Sequence, residues 1–365
     1  MIDWRDLDRT ERVRVVQVSP TDLEGEWGEL DGVDLSGSSI ETAYYSDTRE
    51  RGTVRVVGDS WSRGAFLRVY LSIPEWGWER PLGTYIVTNQ RSRLERGEWI
   101  HELDLQSTLK ALATERLPRP WAIAANASVK RAMAQNLDAA ARPWHDLGAL
   151  DARMKSATVM ETGTTRISAL FALTNATRNR LDVDPMGYVT VAPYVVPSAK
   201  APSFEFDLAD PRGVMEDALE LSTDWLEMPD QVVVAHKYGE TGGGSSAQRE
   251  IDAVAYVPEG SHQSRAVRGY SVTDFRSVDE LQPRTAARAQ QVAQQYLARD
   301  GVERVEWSIG CHYLPLRAGD VVDLVVPSGD YAGTRRCLVK TTSLELGDMG
   351  MTIGLKETAS GDEED

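Results

Sequence analysis

Apolar and polar residues alternate with period two through most of the first hundred positions, and that spacing predicts strands. Arg12–Val18 alternates and ends at Ser19-Pro20, and Thr53–Val57 ends at Gly58-Asp59. Ala65–Ile73 places Leu67, Val69, Leu71 and Ile73 on one face and stops at Pro74. Thr84–Thr88 and Trp99–Leu105 follow, the second with Trp99, Leu103 and Leu105 on one side. Successive side chains of a strand point to opposite faces, so these runs are half-buried strands and the Gly/Pro pairs between them are turns. Residues 11–110 are therefore expected to form an antiparallel sandwich or barrel.

The period returns near the end of the chain. A Gly319-Asp320 turn feeds a buried run, Val321–Val326, that stops at Pro327. A second strand from Arg336 turns at Gly347-Asp348, and a third leaves with Met349, Met351, Ile353 and Leu355 on one face. This stretch predicts a β-meander that closes a barrel.

Between these regions the period lengthens to that of helices. Ser128–Ala141 is predicted helical, with Ser128 as N-cap and Pro143 as stop. Thr165–Ala176 is predicted helical too, with Ile167, Leu170 and Phe171 sharing a face that Thr174 interrupts. Leu181–Val191 reads as two strands joined by Asp184-Pro185-Met186-Gly187, with Pro and Gly where a type I turn takes them. A short helix is expected near Gly213–Leu221, then a strand over Gln231–Ala235. A helix from Arg284 to Arg299, opened by Pro283 and closed by Gly301, would pack through Ala286, Ala289, Ala293, Tyr296 and Leu297. The terminal Ser360–Asp365 has nothing to bury and is expected to be disordered.

Composition narrows this to a globular protein of two or three domains: 365 residues, 41% of them apolar. The chain carries 56 acidic against 40 basic residues, a formal charge of −16, the opposite of what a phosphate-neutralising nucleic-acid binder carries. Two cysteines, Cys311 and Cys337, are too few for a disulfide framework and read as small buried hydrophobes. The charged start, Met1–Asp8, carries no signal-peptide pattern, and no apolar run approaches the ~20 residues that cross a bilayer.

Candidate chemistry is sparse. His101, His145, His236, His262 and His312 are scattered, and no two stand at helical i, i+4 spacing for a metal. Asp182 and Asp184 hint at a calcium loop, but Met186 occupies the next alternate position and Pro185 intrudes. Thr241–Ser246 is glycine-rich without the Gly-Lys-Ser/Thr of a phosphate loop, and reads as a loop tip. No Gly-x-Ser-x-Gly elbow is present, and with this many carboxylates a chance pair signifies little. The sequence therefore nominates no catalytic, cofactor-binding or metal-ligating residue and points to a protein that is not an enzyme. Trp27, Trp76 and Trp78 lie in predicted loops, where they either pack against the barrel ends or offer flat faces to a carbohydrate.

The order of short motifs adds a resemblance. Tyr45–Gly52, Pro81–Val87 and Leu103–Leu109 lie in the first β-rich region, Val183–Val189 follows the central helices, and Pro315–Val322 follows the last. In this order the chain resembles the tail hub, also called baseplate hub or minor tail protein, of long-tailed bacteriophages, actinobacteriophages above all, over about residues 10–357. The resemblance implies a mainly β fold with an α+β middle: two tube-like β-barrel domains, 1–115 and 226–358, joined by α/β connecting domains within 116–225, with an acidic tail over 359–365. It implies a ring-shaped homotrimer that presents six similar barrels to a six-fold tail tube, within the tail tip of a virion assembled in the host cytoplasm. Partners implied are the tail tube or distal tail protein, the tape measure protein, and tip or fibre proteins. No cofactor and no membrane insertion are implied. An acidic lumen would let DNA pass during ejection without binding it. The chain ends soon after its last predicted strand, so host binding or wall cleavage is expected to belong to partner proteins. The other readings are a tail-tip protein that binds host carbohydrate through the loop tryptophans, and a cell-wall hydrolase.

Overall fold

The structure, a computed structural model, describes residues 4–6, 9–58, 61–148, 152–154, 157–210, 215–223, 228–238, 248–277, 286–300 and 305–358. The chain forms two compact units, one of Met1–Leu219 and Ser308–Leu355, the other chiefly of Glu220–Trp307. Compactness thus groups the chain differently from a division into consecutive segments.

The first unit opens with seven strands: β1 (Arg12–Val18), β2 (Glu26–Glu29), β3 (Val33–Ala43), β4 (Glu50–Val57), β5 (Phe66–Ile73), β6 (Trp78–Glu95) and β7 (Glu98–Ser107). Their ladders are antiparallel, in the spatial order β2-β1-β5-β6-β7-β4-β3. The alternation in β5 has its expected effect, for Leu67, Val69, Leu71 and Ile73 are all fully buried. Each such side chain removed from water contributes about 1.5–3 kcal/mol, which fixes the register of this strand against a one-residue slip.

An α/β insertion follows: α1 (Leu109–Thr114), β8 (Trp121–Ile123), α2 (Val129–Ala139), β9 (Trp144–Asp146), β10 (Thr158–Met160), α3 (Arg166–Ala176), β11 (Asn179–Val183) and β12 (Val189–Pro193). Both predicted N-caps are in place. The Ser128 hydroxyl accepts from the Arg131 amide and the Thr165 hydroxyl from the Ser168 amide, each at 3.3 Å. The helices pack on β11 and β12 around Leu112, Met133, Leu137, Leu170, Leu181 and Val191. Thr174, which interrupts the apolar stripe of α3, is buried there with its hydroxyl returned to Leu170 and Phe171 carbonyls.

β13 (Phe204–Asp207) and β14 (Met215–Thr223) complete this stretch. β14 corrects the helix expected over Gly213–Leu221. Its Met, Glu, Ala and Leu favour helix in isolation, but as a strand they hydrogen-bond into the sheet, and tertiary pairing outweighs propensities of a few tenths of a kcal/mol per residue.

In the second unit β15 (Gln231–Tyr238) lies between antiparallel β16 (Gln248–Tyr256) and, after the four-residue α4 (Arg265–Arg268), parallel β17 (Thr273–Ser277). α5 (Ala286–Asp300) covers this sheet. Ala289 and Ala293 sit against Val232, Val234, Ala253 and Ala255, with Tyr296 and Leu297 at the margin, as its spacing predicts, while Ala286 is exposed. The Thr241–Ser246 stretch, Pro283 and Gly301, and the Ser360–Asp365 tail lie outside the described residues.

The last strands are β18 (Val305–His312), β19 (Val321–Val326), β20 (Gly333–Glu345) and β21 (Gly350–Glu357). They extend the sheet in the order β3-β20-β21-β18-β14, with β19 on β20 and β13 parallel to β19. The expected three-stranded meander is present, and Met351, Ile353 and Leu355 share a buried face. It does not close a barrel: β2 and β14 remain as two ends, and no sheet closes on itself among the described residues. The reason lies in β20, whose thirteen residues serve two partners besides β21. Gly333–Leu338 pair with β19, and Thr341–Glu345 pair with β3 of the opening strands. Two strand sets far apart in sequence thereby become one mainly antiparallel sheet.

A buried charged junction as the candidate functional site

The turn between β11 and β12 carries the first half of this site. Gly187 donates to the Asp184 carbonyl at 2.9 Å, closing the predicted turn, and Asp184 Oδ1 accepts from the Tyr188 amide at 2.9 Å. Gly187 has φ +91°, and a Cβ there would stand 3.1 Å from both Thr84 and Thr108, so only glycine lets the turn seat this closely. The Thr84 hydroxyl donates to the Pro185 carbonyl at 2.9 Å and the Thr108 hydroxyl to the Gly187 carbonyl at 2.8 Å. Beneath them lies Arg68, only 1% exposed in the middle of β5. Its guanidinium donates to the Leu23 carbonyl at 2.6 Å, the Met186 carbonyl at 3.0 Å and the Thr84 hydroxyl at 2.8 Å. A buried cation is tolerated only when its donors are used, and here they tie the opening sheet to the insertion.

The second half surrounds the Pro315–Asp320 turn. Arg317 pairs with Glu50, whose side chain is 2% exposed. The Arg317 amide donates to Asp320 Oδ2 at 2.8 Å, and the Ala318 amide to the Thr42 hydroxyl at 3.0 Å. Thr42 in turn meets Thr342 at 2.8 Å across the β3–β20 seam. From the insertion, Lys200 donates to the Gly319 carbonyl at 2.9 Å, Arg180 pairs with Asp182 at 2.9 Å and lies 4.0 Å over the Tyr44 ring, and Arg49 reaches back to the Leu181 carbonyl at 3.2 Å. Thr42, Arg49, Glu50, Arg180, Lys200 and Arg317 line a cleft of about 320 Å³. Burial pushes the Asp320 carboxyl above its ordinary value and the Arg317 guanidinium below, although 35% of the Arg317 side chain stays accessible. Gly319 (φ +101°) passes so near Arg180 and Tyr44 that a Cβ would stand 2.8 Å from the guanidinium. The arrangement supplies paired ions and backbone acceptors, a set that holds three parts of one unit in register.

Other residues singled out by the sequence are dispersed. Asp182 is held by Arg180 and Asp184 by its own turn, and burial raises the Asp184 carboxyl. Tyr188, pushed up to about 12 by its hydrogen bond to Glu24, lies tilted against His145 with ring centroids 4.5 Å apart. His101 is buried against Trp99 and lies 2.8 Å from the Ser92 hydroxyl, while His312 meets the enclosed Glu11 carboxylate at 2.9 Å. No group of three or more His, Cys, Asp or Glu residues among the described ones is placed to hold a metal, and no described helix is long and apolar enough to cross a membrane. Cys311 and Cys337 are buried and not joined in a disulfide.

The tryptophans separate. Trp76 and Trp78 pack edge-on against Trp4 at 5.4 and 5.2 Å, with Arg9 over the Trp4 and Trp76 rings, so they serve packing. Trp27 on β2 is 55% exposed. Sequence reasoning missed Arg68, whose signal was a single cation between Phe66 and Tyr70 on the second face of an otherwise apolar strand.

No protein-family model matches the sequence, and no curated protein does. Solved structures do. A tail protein from Neisseria meningitidis MC58 superposes with a TM-score of 0.63 at 15% identity, over 96% of this chain and 97% of that one. The 43 kDa tail protein of prophage MuSo2 from Shewanella oneidensis gives 0.61 at 10% identity, over 94% and 98%. A prophage tail protein from Listeria monocytogenes EGD-e gives 0.54 at 10% identity, over 96% and 95%. This chain has the fold of these tail proteins. In the tail-protein fold the motifs named from sequence are neighbours: Tyr45–Gly52, Pro81–Val87, Leu103–Leu109, Val183–Val189 and Pro315–Val322 each supply a residue to the two halves of the junction or to the strands that carry them.

Proposed function

We propose that the chain is a structural tail hub of the phage type: a homotrimeric ring at the tail tip that joins the tail tube to the tip proteins and surrounds the path of DNA during ejection. The supporting observation is the end-to-end superposition on tail proteins, in which nearly the whole of both chains takes part. A domain shared as a module would match over a part. The open β2 and β14 ends agree with two tube-like lobes that complete their sheets in a ring of copies, and the charged junction would keep the lobes of one chain in fixed register. The chain has no enzymatic role in this reading, and its contacts with the tube or distal tail protein, the tape measure protein and fibre proteins lie on the ring faces. The net charge of −16 suits a channel that phosphate does not adhere to.

Light scattering after size exclusion tests this. A particle of three times 40.4 kDa, seen by negative stain as a ring with pseudo-six-fold outline, is the expected result. A monomer that neither assembles on purified tail tubes nor enters particles would overturn it.

A further inference from the structure

A second cleft, of about 490 Å³, lies in the α/β insertion and plays no part in the junction. Trp121 of β8 forms one wall. Its backbone is fixed by the ladder to β10 opposite Met160, and its ring packs at the edge of two apolar clusters while still lining the opening. Small side chains, Ala122, Ala127 and Ala132 among them, line it as well. Around the rim stand Asn126, Arg131, Gln135 and Arg153.

Three of these rim groups are uncommitted. Among the described residues the Asn126 and Gln135 side-chain amides and the Arg131 guanidinium make no hydrogen bond, whereas Arg153 is spent on the Asn126 carbonyl at 2.9 Å. Asn126 is held at φ +69°, in the left-handed region, by that bond and by its own amide to the Met154 carbonyl at 2.8 Å. Arg131 and Gln135 are one helical turn apart on the exposed side of α2. Among the described residues no carboxylate lines the cleft, in a chain with 56 acidic residues.

From this we infer that the cleft is a binding site for a short oligosaccharide that carries a carboxylate. A sugar ring has an apolar C–H face that suits a tryptophan wall, and vicinal hydroxyls that suit the paired donor and acceptor of an amide. A guanidinium beside them takes a carboxylate in a forked geometry. The volume falls in the range of small-molecule sites, about 300–1,000 Å³. A nucleotide fits less well, because the cleft offers one aromatic wall and no glycine-lined phosphate cradle. This site is separate from the loop tryptophans, of which Trp76 and Trp78 are consumed in packing, and it does not depend on assembly of the chain.

Saturation-transfer NMR on the full-length chain tests the inference with three probes: a tetrasaccharide of alternating glucuronate and N-acetylglucosamine, the neutral N-acetylglucosamine tetramer, and adenosine monophosphate. Transfer to the acidic tetrasaccharide is expected. Arg131→Ala with Gln135→Ala, both on an exposed helix face, should weaken it about tenfold or more, the worth of one lost charged hydrogen bond. Trp121→Phe, which keeps the packing but shrinks the wall, should reduce transfer to the ring protons. The inference is overturned if neither tetrasaccharide binds, if the neutral one binds equally well, if the nucleotide displaces both, or if the helix-face variant binds like wild type.

Discussion

Replacing Arg68 by methionine tests whether the insertion is held to the opening sheet by one buried cation. Methionine fills a similar volume and leaves the strand apolar, so the change isolates the guanidinium. It removes the donors now given to the Leu23 and Met186 carbonyls and to the Thr84 hydroxyl. Thr84 retains its bond to the Pro185 carbonyl, but the two carbonyls are left in a site where the arginine itself is 1% exposed. An unpaired buried acceptor costs about 1–3 kcal/mol, and two are left. The expected loss is therefore about 2–6 kcal/mol, a large share of the ~5–15 kcal/mol that stabilises an ordinary domain. Urea unfolding followed by far-ultraviolet circular dichroism measures it. Hydrogen exchange should rise at Asp184 and Gly187, whose amides close the seated turn. Arg68→Lys keeps the charge but cannot fork to three acceptors, and should fall between the two. A methionine variant within about 0.5 kcal/mol of wild type, with unchanged exchange in the turn, would show that the latch contributes nothing.

Three further outcomes are expected. Val322→Asp or Leu324→Asp buries a carboxylate at a fully enclosed position of β19 and should cost several kcal/mol, seen as insoluble protein or lost assembly; soluble protein with native unfolding behaviour would contradict the burial. Gly187→Ala should cost about 1–2 kcal/mol from its positive φ and the contacts with Thr84 and Thr108, and a thermal melt equal to wild type would refute the seating. Burial raises the Asp320 carboxyl above its ordinary 3.8, so the folded state binds that proton more tightly than the unfolded chain. Its contribution to stability is present below the unfolded value and is lost as pH rises through the folded one. Asp320→Asn keeps an acceptor for the Arg317 amide without titrating, so its stability relative to wild type should rise from about pH 4 toward neutrality; urea melts across that range would refute this if the difference stayed constant.

Much of the fold was legible because the relevant information is local. The face of β5, the caps at Ser128 and Thr165, the Asp184–Gly187 turn and the buried face of β21 each follow from residues within a few positions of one another. β14 was not legible, since its residues favour helix until a neighbouring strand supplies the ladder. The candidate site was legible only in fragments. Arg317 and Glu50 are 267 residues apart, and neither has a local pattern that names the other. The cleft beside Trp121 was missed for a related reason: its alanines read as helix and strand fillers, and only their juxtaposition makes a space.

The sequence by itself determined a mainly β chain with helices in its middle third, the positions of its turns, and the absence of a familiar catalytic motif, because periodicity, capping and turn chemistry act over a few residues. The tertiary structure alone decided that Ser308–Leu355 returns to the first unit, that β20 pairs with β3 and β19 as well as β21, and that Arg68 and the Glu50 partner of Arg317 are buried rather than solvated. Those outcomes depend on which distant surfaces exclude water together and which carbonyls and carboxylates then remain to be satisfied, and no stretch of sequence carries that information on its own.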